Sequence, residues 1–418
     1  MGAAFKFRFL FLLLLPLGTK AANDTLHVSI KQADSIFLAN NYDLLASALN
    51  IDAQKAQIIQ AKLYPNPVAT VDVNAYRPDN QTFFNTGAAG QKTFQLEQLI
   101  LLGGKRKSQI DLARSDARIA ELEFQELIRQ LRFKLHTGLH ALNQQRTLLV
   151  NYNNQLVVLD NLLTAYNEQV NKGNLPLKDL VRLKGVYLNL NNDRAQLLKE
   201  YLADLTEVQT ILQTSRIVSP MITETDLSAT IKMASLDELK NLTINSRPDY
   251  LISQEIKESS KINLQLQKRL AVPDVNVFTS YDQRGGAFNN QINLGVSIPL
   301  PLWNRNQGNI KTASILLEQS NYNEEAHKNR LFAELANNYS LYTQTVSEYQ
   351  KLSSLYNTDF EVTLQGVSDN FRKQNVSIIE FVDFFEAYNL AIAEIARIKI
   401  QLATSAEQLN LTIGKEVF

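Results

Sequence analysis

The sequence predicts a mainly helical protein that carries four short β-strands, with one architecture built twice along the chain. Three observations predict it: internal similarity at an offset of about 200 residues, long segments with heptad spacing, and shorter segments with alternating polarity. Self-similarity at a fixed offset indicates a repeated structural unit. Heptad spacing indicates coiled-coil packing of helices, and alternating polarity indicates strands with one buried face.

The internal similarity is carried by three pairs of short segments. The pairs are 41–45 with 247–251, 61–67 with 267–273, and 99–102 with 299–302. Each half then runs helix, strand pair, very long helix, turn, helix. We therefore expect a first repeat over residues 22–235 and a second over residues 236–418. The β-hairpins are expected within residues 67–99 and 273–299.

The N-terminus has the pattern of a secretory signal peptide. Lys6 and Arg8 precede an apolar run over residues 9–18, and residues 19–22 include small side chains suited to cleavage. The run is shorter than the roughly 20 apolar residues that cross a bilayer. We expect residues 1–21 to be a signal peptide, with an uncleaved anchor as the alternative.

Composition excludes several classes of protein. Lys plus Arg and Asp plus Glu both number 42, so the net charge is zero and there is no electrostatic case for a nucleic-acid partner. Because cysteine is absent, the chain has no disulfide, no thiolate metal site, no cysteine nucleophile and no lipidated N-terminal cysteine.

The helical segments carry apolar residues at alternating steps of three and four. The seam runs from Leu135 to Tyr166, from Leu180 to Ile211, and from Ile378 to Leu409. The exceptions to its apolar pattern are Gly138, Gln145, Arg194, Asp204 and Lys399. A spacing of 3.5 residues sustained over this length predicts coiled-coil packing.

One segment predicts an unusually long helix. Residues 105–170 contain no proline, and such a helix would reach roughly 100 Å. Gly173 and Pro176 then predict a turn at a first polar tip. A second tip is expected near residues 373–376, which contain neither glycine nor proline, so the position of that turn is less defined.

The strand segments have one apolar and one polar side. Residues 68–76 and 291–298 alternate most clearly, and turn-rich loops at 77–80 and 284–286 follow one strand of each pair. Such strands suit an outer-membrane barrel, and hairpins lying on soluble helices are the alternative. Four strands cannot close a barrel, and an open edge in lipid leaves backbone groups unsatisfied. A membrane barrel would therefore have to be shared, and three copies would supply twelve strands.

Several strings of residues resemble the TolC-like outer-membrane efflux family. They are Asn66-Pro67, Arg247-Pro248-Asp249, 102–106 (LGGKR) and 297–308 (SIPLPLWNRNQG), and they occur in the family's order. The last string is similar to the branch that serves heavy-metal efflux, the cobalt-zinc-cadmium and copper-silver systems. The resemblance covers almost all of the mature sequence.

This resemblance implies a homotrimer with a twelve-stranded β-barrel in outer-membrane lipid and a periplasmic α-helical tunnel. It implies a Gram-negative outer-membrane location, a periplasmic adaptor protein and an inner-membrane pump of the resistance-nodulation-division (RND) type. The chain would be the passive exit duct of a tripartite efflux pump, without a cofactor, and heavy-metal cations are the expected cargo. Multidrug efflux or type I protein secretion is the alternative function, and a secreted coiled-coil structural protein is a second alternative.

The resemblance also implies a gate of carboxylates at the periplasmic tip. The matching positions are Asp179, Glu380 and Asp383, which trimer symmetry would repeat as rings. Acidic rings favour cations, and clustered like charges are expected to raise the pKa of carboxyl groups. A solvated helix face is the alternative for these residues. The family's basic tip residue corresponds to Val376, so any latch would use other residues, and the nearby candidates are Lys172, Lys178, Arg372 and Lys373.

The sequence gives little support for an enzyme or a metal centre. His136 and His140 are spaced for metal binding on one helix face, but they lack the HExxH pattern, so surface or seam histidines are the favoured interpretation. No phosphate loop and no GxSxG nucleophile elbow occurs. Trp303 follows the last strand, where a membrane-interface role and a packing role are equally supported.

Overall fold

The computed structural model describes residues 25–285, 287–355 and 359–418. The predicted signal peptide and Gly286 lie outside the described residues. The helices are α1 (Ile30–Asn40), α2 (Tyr42–Lys62), α3 (Lys105–Asn171), α4 (Leu177–Leu212), α5 (Glu224–Ser228), α6 (Leu236–Ser246), α7 (Pro248–Leu270), α8 (Gln307–Leu355), α9 (Asp359–Arg372) and α10 (Ile378–Ile413). The strands are β1 (Thr25–Val28), β2 (Val68–Val73), β3 (Tyr76–Arg77), β4 (Thr82–Phe83), β5 (Gln91–Ile100), β6 (Ile217–Pro220), β7 (Val275–Arg284) and β8 (Phe288–Ser297). The mainly helical prediction is confirmed.

One antiparallel sheet joins the two halves of the chain. Its order is β2-β5-β7-β8, and β5 pairs with β7 along ten residues, from Gln91 opposite Arg284 to Ile100 opposite Val275. The first strand is shorter than predicted, because β2 ends at Val73 and the chain leaves for the small hairpin β3–β4. Within the described residues, β2 and β8 each pair on one side, so both edges of the sheet are open.

The two faces of this sheet differ in chemistry. On one face the side chains of Ile292, Leu294 and Val296 are exposed. On the other, the Asp282 carboxylate accepts hydrogen bonds from the Thr93 hydroxyl at 2.8 Å and from the Asn293 amide at 2.5 Å. Because alternate residues of a strand point to opposite faces, this apolar group and this polar group lie on opposite sides of the sheet.

Next to the sheet, four helices form an antiparallel layer in the same order as the strands. α2 packs against α3, α3 against α7, and α7 against α8. α3 is 67 residues long and continues beyond this layer, where it packs against α4 and α10. Gly103 and Gly104, both at positive φ, form the turn from β5 into α3. Among the described residues, no helix combines the length and apolar character needed to cross a bilayer.

The heptad seam forms the core of the helical part. Leu135, Leu142 and Leu159 are fully buried in it. Two of its polar exceptions pair with each other, because the Gln145 side-chain amide nitrogen donates to Asp204 at 2.7 Å.

The other exceptions also have local partners or a close neighbour. Gly138 allows close approach of α4: a Cβ atom there would lie 2.7 Å from Cγ2 of Val208. Lys399 forms an ion pair with Glu224 at the start of α5. The seam is therefore continuous despite its non-apolar positions.

In both halves of the chain, a side-chain hydrogen bond ties the start of one helix to the last turn of another. The helices joined in this way are α2 with α4 in the first half and α7 with α10 in the second half. The Asn41 side-chain amide donates to the Ile211 carbonyl at 3.0 Å, and the Arg247 guanidinium donates to the Thr412 carbonyl at 3.2 Å. In each case a residue at the start of one helix satisfies a carbonyl in the last turn of another. The parallel pair β1–β6 beside this region was not predicted from the sequence.

Candidate functional site at the hairpin tips

The first hairpin tip is a Schellman turn between α3 and α4. The Gly173 amide donates to the Val170 carbonyl and the Asn174 amide to the Gln169 carbonyl, both at 2.9 Å. Gly173 has φ 76°, the left-handed conformation that this motif requires. The predicted glycine and proline signals therefore correspond to a real turn.

The second tip has the same turn without a glycine. The Gln374 amide donates to the Phe371 carbonyl at 3.0 Å and the Asn375 amide to the Asn370 carbonyl at 2.9 Å. Gln374 has φ 62°, which costs a non-glycine residue roughly 1 kcal/mol. The sequence left this turn undefined because the residue in the left-handed position is one that rarely adopts it.

A stack of aromatic rings lies directly behind the second tip. Phe371 stacks on Phe381 with ring centroids 4.3 Å apart and on Tyr166 of α3 at 5.3 Å. Phe381 in turn contacts Phe385 at 5.6 Å. Burial raises the pKa of the Tyr166 hydroxyl, and the nearby Asp179 carboxylate raises it further. The stack connects α3, which leads to the first tip, with the helices on both sides of the second tip. The carboxylates of the two tips therefore lie on helices that are packed together.

Glu380 is engaged in a helix cap within its own chain. It is the third residue of α10, and its carboxylate accepts the Ser377 amide at 2.9 Å while the Ser377 hydroxyl accepts the Glu380 amide at 3.3 Å. Hydrogen bonding of Ser377 to the carboxylate, first by its backbone amide and then by its side chain, lowers the pKa of Glu380. The expectation of raised carboxyl pKa values concerns rings of three copies and stays a prediction; within one protomer the cap stabilises the charge of Glu380.

Asp179 and Glu380 occupy matching positions, since each is the third residue of the helix that follows its tip. Asp179 is half-buried, whereas Glu380 and Asp383 are exposed. Asp383 lies one turn after Glu380, so the two share a side of α10. Their assignment to a gate stays a prediction.

The basic residues near the tips are all exposed. Lys172 and Lys178 flank the first turn, and Lys373 precedes Gln374 in the second. Arg372 lies 3.5 Å from Asp369 one turn earlier in α9. Val376 is half-buried and packs against the tip core, so it has no part in an ion pair.

Sequence reasoning missed a groove behind the tips that carboxylates line in part. It has a volume of about 600 Å³ and lies between α4 and α10, over Leu148 and Tyr152 of α3. Three carboxylates line it: Asp193, Glu200 and Glu386. Burial, and then the charge of Asp193, raise the pKa of Tyr152 to about 12. Heptad spacing predicts the apolar positions of a helix, so it gave no signal for these acids on α4 and α10.

A second ionisable cluster lies farther along α3 and contains both histidines singled out in the sequence. His136 and His140 are both buried, so of the two interpretations, surface or seam, only the surface one is wrong. Nε2 of His136 lies 3.0 Å from Asp34 of α1, and Nδ1 lies 3.0 Å from Glu407 of α10. Since both ring nitrogens face carboxylates, both must carry protons.

The two histidines have opposite protonation preferences. Burial alone would lower the pKa of His136, but hydrogen bonds to Asp34 and Glu407 outweigh it and raise the pKa to about 9. Burial lowers the pKa of His140 to about 4. No group of three His, Asp or Glu side chains within the described residues is arranged to hold a metal ion. This cluster therefore acts as an ion pair between helices.

Comparison with solved structures identifies the fold. The structure of CusC, described with its transmembrane channel formation, superposes with a TM-score of 0.76 at 16% sequence identity, over 93% of this chain and 92% of that one. The CmeC outer-membrane channel of Campylobacter jejuni gives a TM-score of 0.72 at 12% identity, over 93% and 86% of the two chains. The chain has the fold of the TolC-like outer-membrane channels.

One curated relative is similar in sequence. It is the cobalt-zinc-cadmium resistance protein CzcC of Cupriavidus metallidurans, 25% identical over 312 residues, which are 68% of this chain and 66% of that protein. The match thus spans just under two thirds of the relative's length. No family model matches the sequence. The predicted TolC-like fold is confirmed.

Proposed function

We propose that this chain is the outer-membrane exit duct of a tripartite efflux pump and that it passively conducts heavy-metal cations from the periplasm to the exterior. The observation that carries the proposal is a four-stranded sheet, open at both edges and apolar on one face, joined to a helical layer of the same order. CusC, OprN and CmeC, whose structures are described as outer-membrane or transmembrane channels, share this fold.

The open edges support a shared barrel. In lipid, unpaired backbone groups at a sheet edge each cost several kcal/mol, so the edges must be covered. Three copies would bring twelve strands together and place Ile292, Leu294 and Val296 toward outer-membrane lipid. The face that carries Asp282 and Asn293 would then line the lumen. Trp303, with 87% of its side chain exposed after β8, suits the membrane interface and is not packed in the protomer.

The described fold argues against one of the alternative functions and leaves two that differ only in cargo. A secreted coiled-coil rod has no need for the sheet, so it is not favoured. Multidrug efflux and type I secretion would use the same duct and differ in the cargo. The name of the CzcC relative favours metal cations, and the partners would be a periplasmic adaptor and an RND-type inner-membrane pump.

The function is tested by growth of a deletion strain on zinc, cobalt, cadmium, copper, bile salts and dyes. We expect sensitivity to one or two metals, restored by the intact gene. Sensitivity to amphiphiles alone would reassign the duct to drug efflux. Normal growth on every compound, combined with loss of a secreted protein, would instead favour type I secretion.

The proposed gate makes a separate prediction at Asp383. Because Asp383 is exposed and is not the residue that caps α10, its charge is available to a cation path. Asp383→Arg is expected to lower the cation preference of the channel in planar bilayers, since a ring of three negative charges becomes positive. A suitable control is Asp237→Arg on α6, which makes the same charge change at an exposed position away from the tips. Equal ion selectivity in both variants would remove Asp383 from the gate.

A further inference from the structure

The groove between α4 and α10 has two unlike surfaces. Its floor is apolar and includes the buried side chains of Leu190 and Phe385. Its walls carry three exposed carboxylates, Asp193 and Glu200 on α4 and Glu386 on α10. None of the described residues that line the groove is basic. The groove therefore offers hydrocarbon contact at its base and negative charge at its rim.

The three carboxylates have no positive partner within the folded chain. The side chains of Asp193, Glu200 and Glu386 form no ion pair and no hydrogen bond with any described residue. Farther along α10, by contrast, Glu394 is also exposed but pairs with Arg397 at 2.6 Å. The negative charges of the groove are thus left for a cation from solution.

Two uncharged polar groups in the groove also lack partners. Tyr152 is only 5% exposed and lines the groove, and its hydroxyl makes no hydrogen bond with any described residue. Oδ1 of Asn389 is buried and likewise has no hydrogen-bond partner among the described residues. Buried polar groups in folded proteins are nearly always hydrogen-bonded. Two oxygen atoms without partners in an acidic groove indicate a ligand that donates hydrogen bonds, such as an ammonium group.

The spacing of the carboxylates indicates an elongated ligand. Asp193 and Glu200 lie seven residues apart on one side of α4, which separates them by roughly 10 Å along the helix axis. Glu386 belongs to the opposite wall of the groove. Among the described residues, no three His, Asp or Glu side chains converge as a metal ion requires. One compact ion cannot contact all three carboxylates, whereas a flexible chain that carries several positive charges can.

We propose that the groove between α4 and α10 binds a linear aliphatic polyamine. The ammonium groups pair with the carboxylates of Asp193, Glu200 and Glu386, and the methylene chain lies on the apolar floor. Ammonium hydrogens also satisfy the free oxygen atoms of Tyr152 and Asn389. The groove volume of about 600 Å³ is in the range of small-molecule sites. Since one chain forms the whole groove, the proposal does not rest on the function proposed above.

Thermal unfolding of the full-length protein in mild detergent, with and without the triamine spermidine, tests the proposal. A ligand that binds only the folded state raises the midpoint of unfolding. We expect spermidine to raise this midpoint and to bind saturably in equilibrium dialysis. Asp193→Asn/Glu386→Gln keeps the size of both side chains but removes two charges, so its dissociation constant should be about tenfold larger. All samples contain about 0.15 M salt, because screening changes such contacts.

The matched control is Asp160→Asn/Glu168→Gln. Both residues are exposed on α3, and neither lines the groove. This control loses the same charge and should bind spermidine as the unaltered protein does. Tyr152→Phe removes only the hydroxyl and is expected to weaken binding several-fold. Butylamine, which has a single ammonium group, should bind at least about tenfold more weakly than spermidine.

Three results would overturn the proposal. Equal weakening in the groove variant and the control would mean that spermidine responds to net charge alone. Unchanged binding in the groove variant would place spermidine elsewhere. A larger rise of the midpoint with Co²⁺ than with spermidine, lost in the groove variant, would make the groove a metal site. If the groove variant does not fold, Glu200→Gln at an exposed position provides the comparison. Each of these results leaves the duct function standing, because growth of the deletion strain tests it separately.

Discussion

Replacing His136 with leucine is expected to lower the free energy of unfolding by about 3–5 kcal/mol at pH 7. The imidazolium lies between Asp34 and Glu407, with both contacts at 3.0 Å, and it is 4% exposed. Its removal leaves the buried Glu407 and the half-buried Asp34 without the imidazolium between them, and only Asp34 keeps a cation nearby, Arg132 at 3.5 Å. These carboxylates belong to α1 and α10, so three elements lose their common contact.

The same ion pair gives a pH dependence with a defined sign. The pKa of His136 is about 9 in the folded protein, above the ordinary value of 6.5. A raised pKa means that the folded state holds the proton more tightly, so the stabilisation is complete below pH 6.5 and is lost as pH rises through 9. The difference corresponds to on the order of 3 kcal/mol. The intact protein should therefore unfold more easily at pH 10 than at pH 6.

Thermal unfolding in mild detergent at pH 6, 8 and 10 provides the measurement. His140→Leu is the matched control, because His140 is equally buried on the same helix but its pKa of about 4 keeps it neutral at pH 7. We expect a loss of less than about 1.5 kcal/mol for this variant. If both leucine variants lose the same stability, and both retain the pH dependence, the ion pair is not what holds the three elements together.

Replacing Leu149 with proline is expected to cost at least about 3 kcal/mol and to abolish the assembled channel. Leu149 lies inside α3, which runs without interruption from Lys105 to Asn171. Proline removes one hydrogen bond of the helix and clashes with the preceding turn. Because α3 extends from the sheet to the tip, a kink at this point would displace the whole tip region.

The control for this variant is Leu149→Ala. Leu149 is half-buried against the core near the tips, so alanine loses part of its packing and keeps the helix. The yield of detergent-resistant oligomer and the single-channel conductance distinguish the two variants. Equal yield and conductance for proline and alanine would mean that a continuous α3 is not required there.

The sequence alone determined the parts of this fold that depend on local periodicity. The absence of proline over residues 105–170 and the heptad spacing predicted the long helix, and alternation over 68–76 and 291–298 located β2 and β8 with ends that differ by up to three residues. Gly173 marked the first tip because a left-handed turn favours glycine. These signals are readable because each is carried by neighbouring residues.

Only the tertiary structure decided the features that depend on residues far apart in the chain. His136, Asp34 and Glu407 come from three separate segments, so the charge of His136 could not be read from its neighbours. The cap on Glu380 and the strained turn at Gln374 needed backbone geometry. The sequence determined which residues form helices and strands, because that depends on local spacing. Tertiary packing decided which side chains are charged, which ones cap a helix and which strand edges stay unpaired. Each of these properties depends on partners that lie far apart in the sequence and meet only in the folded chain.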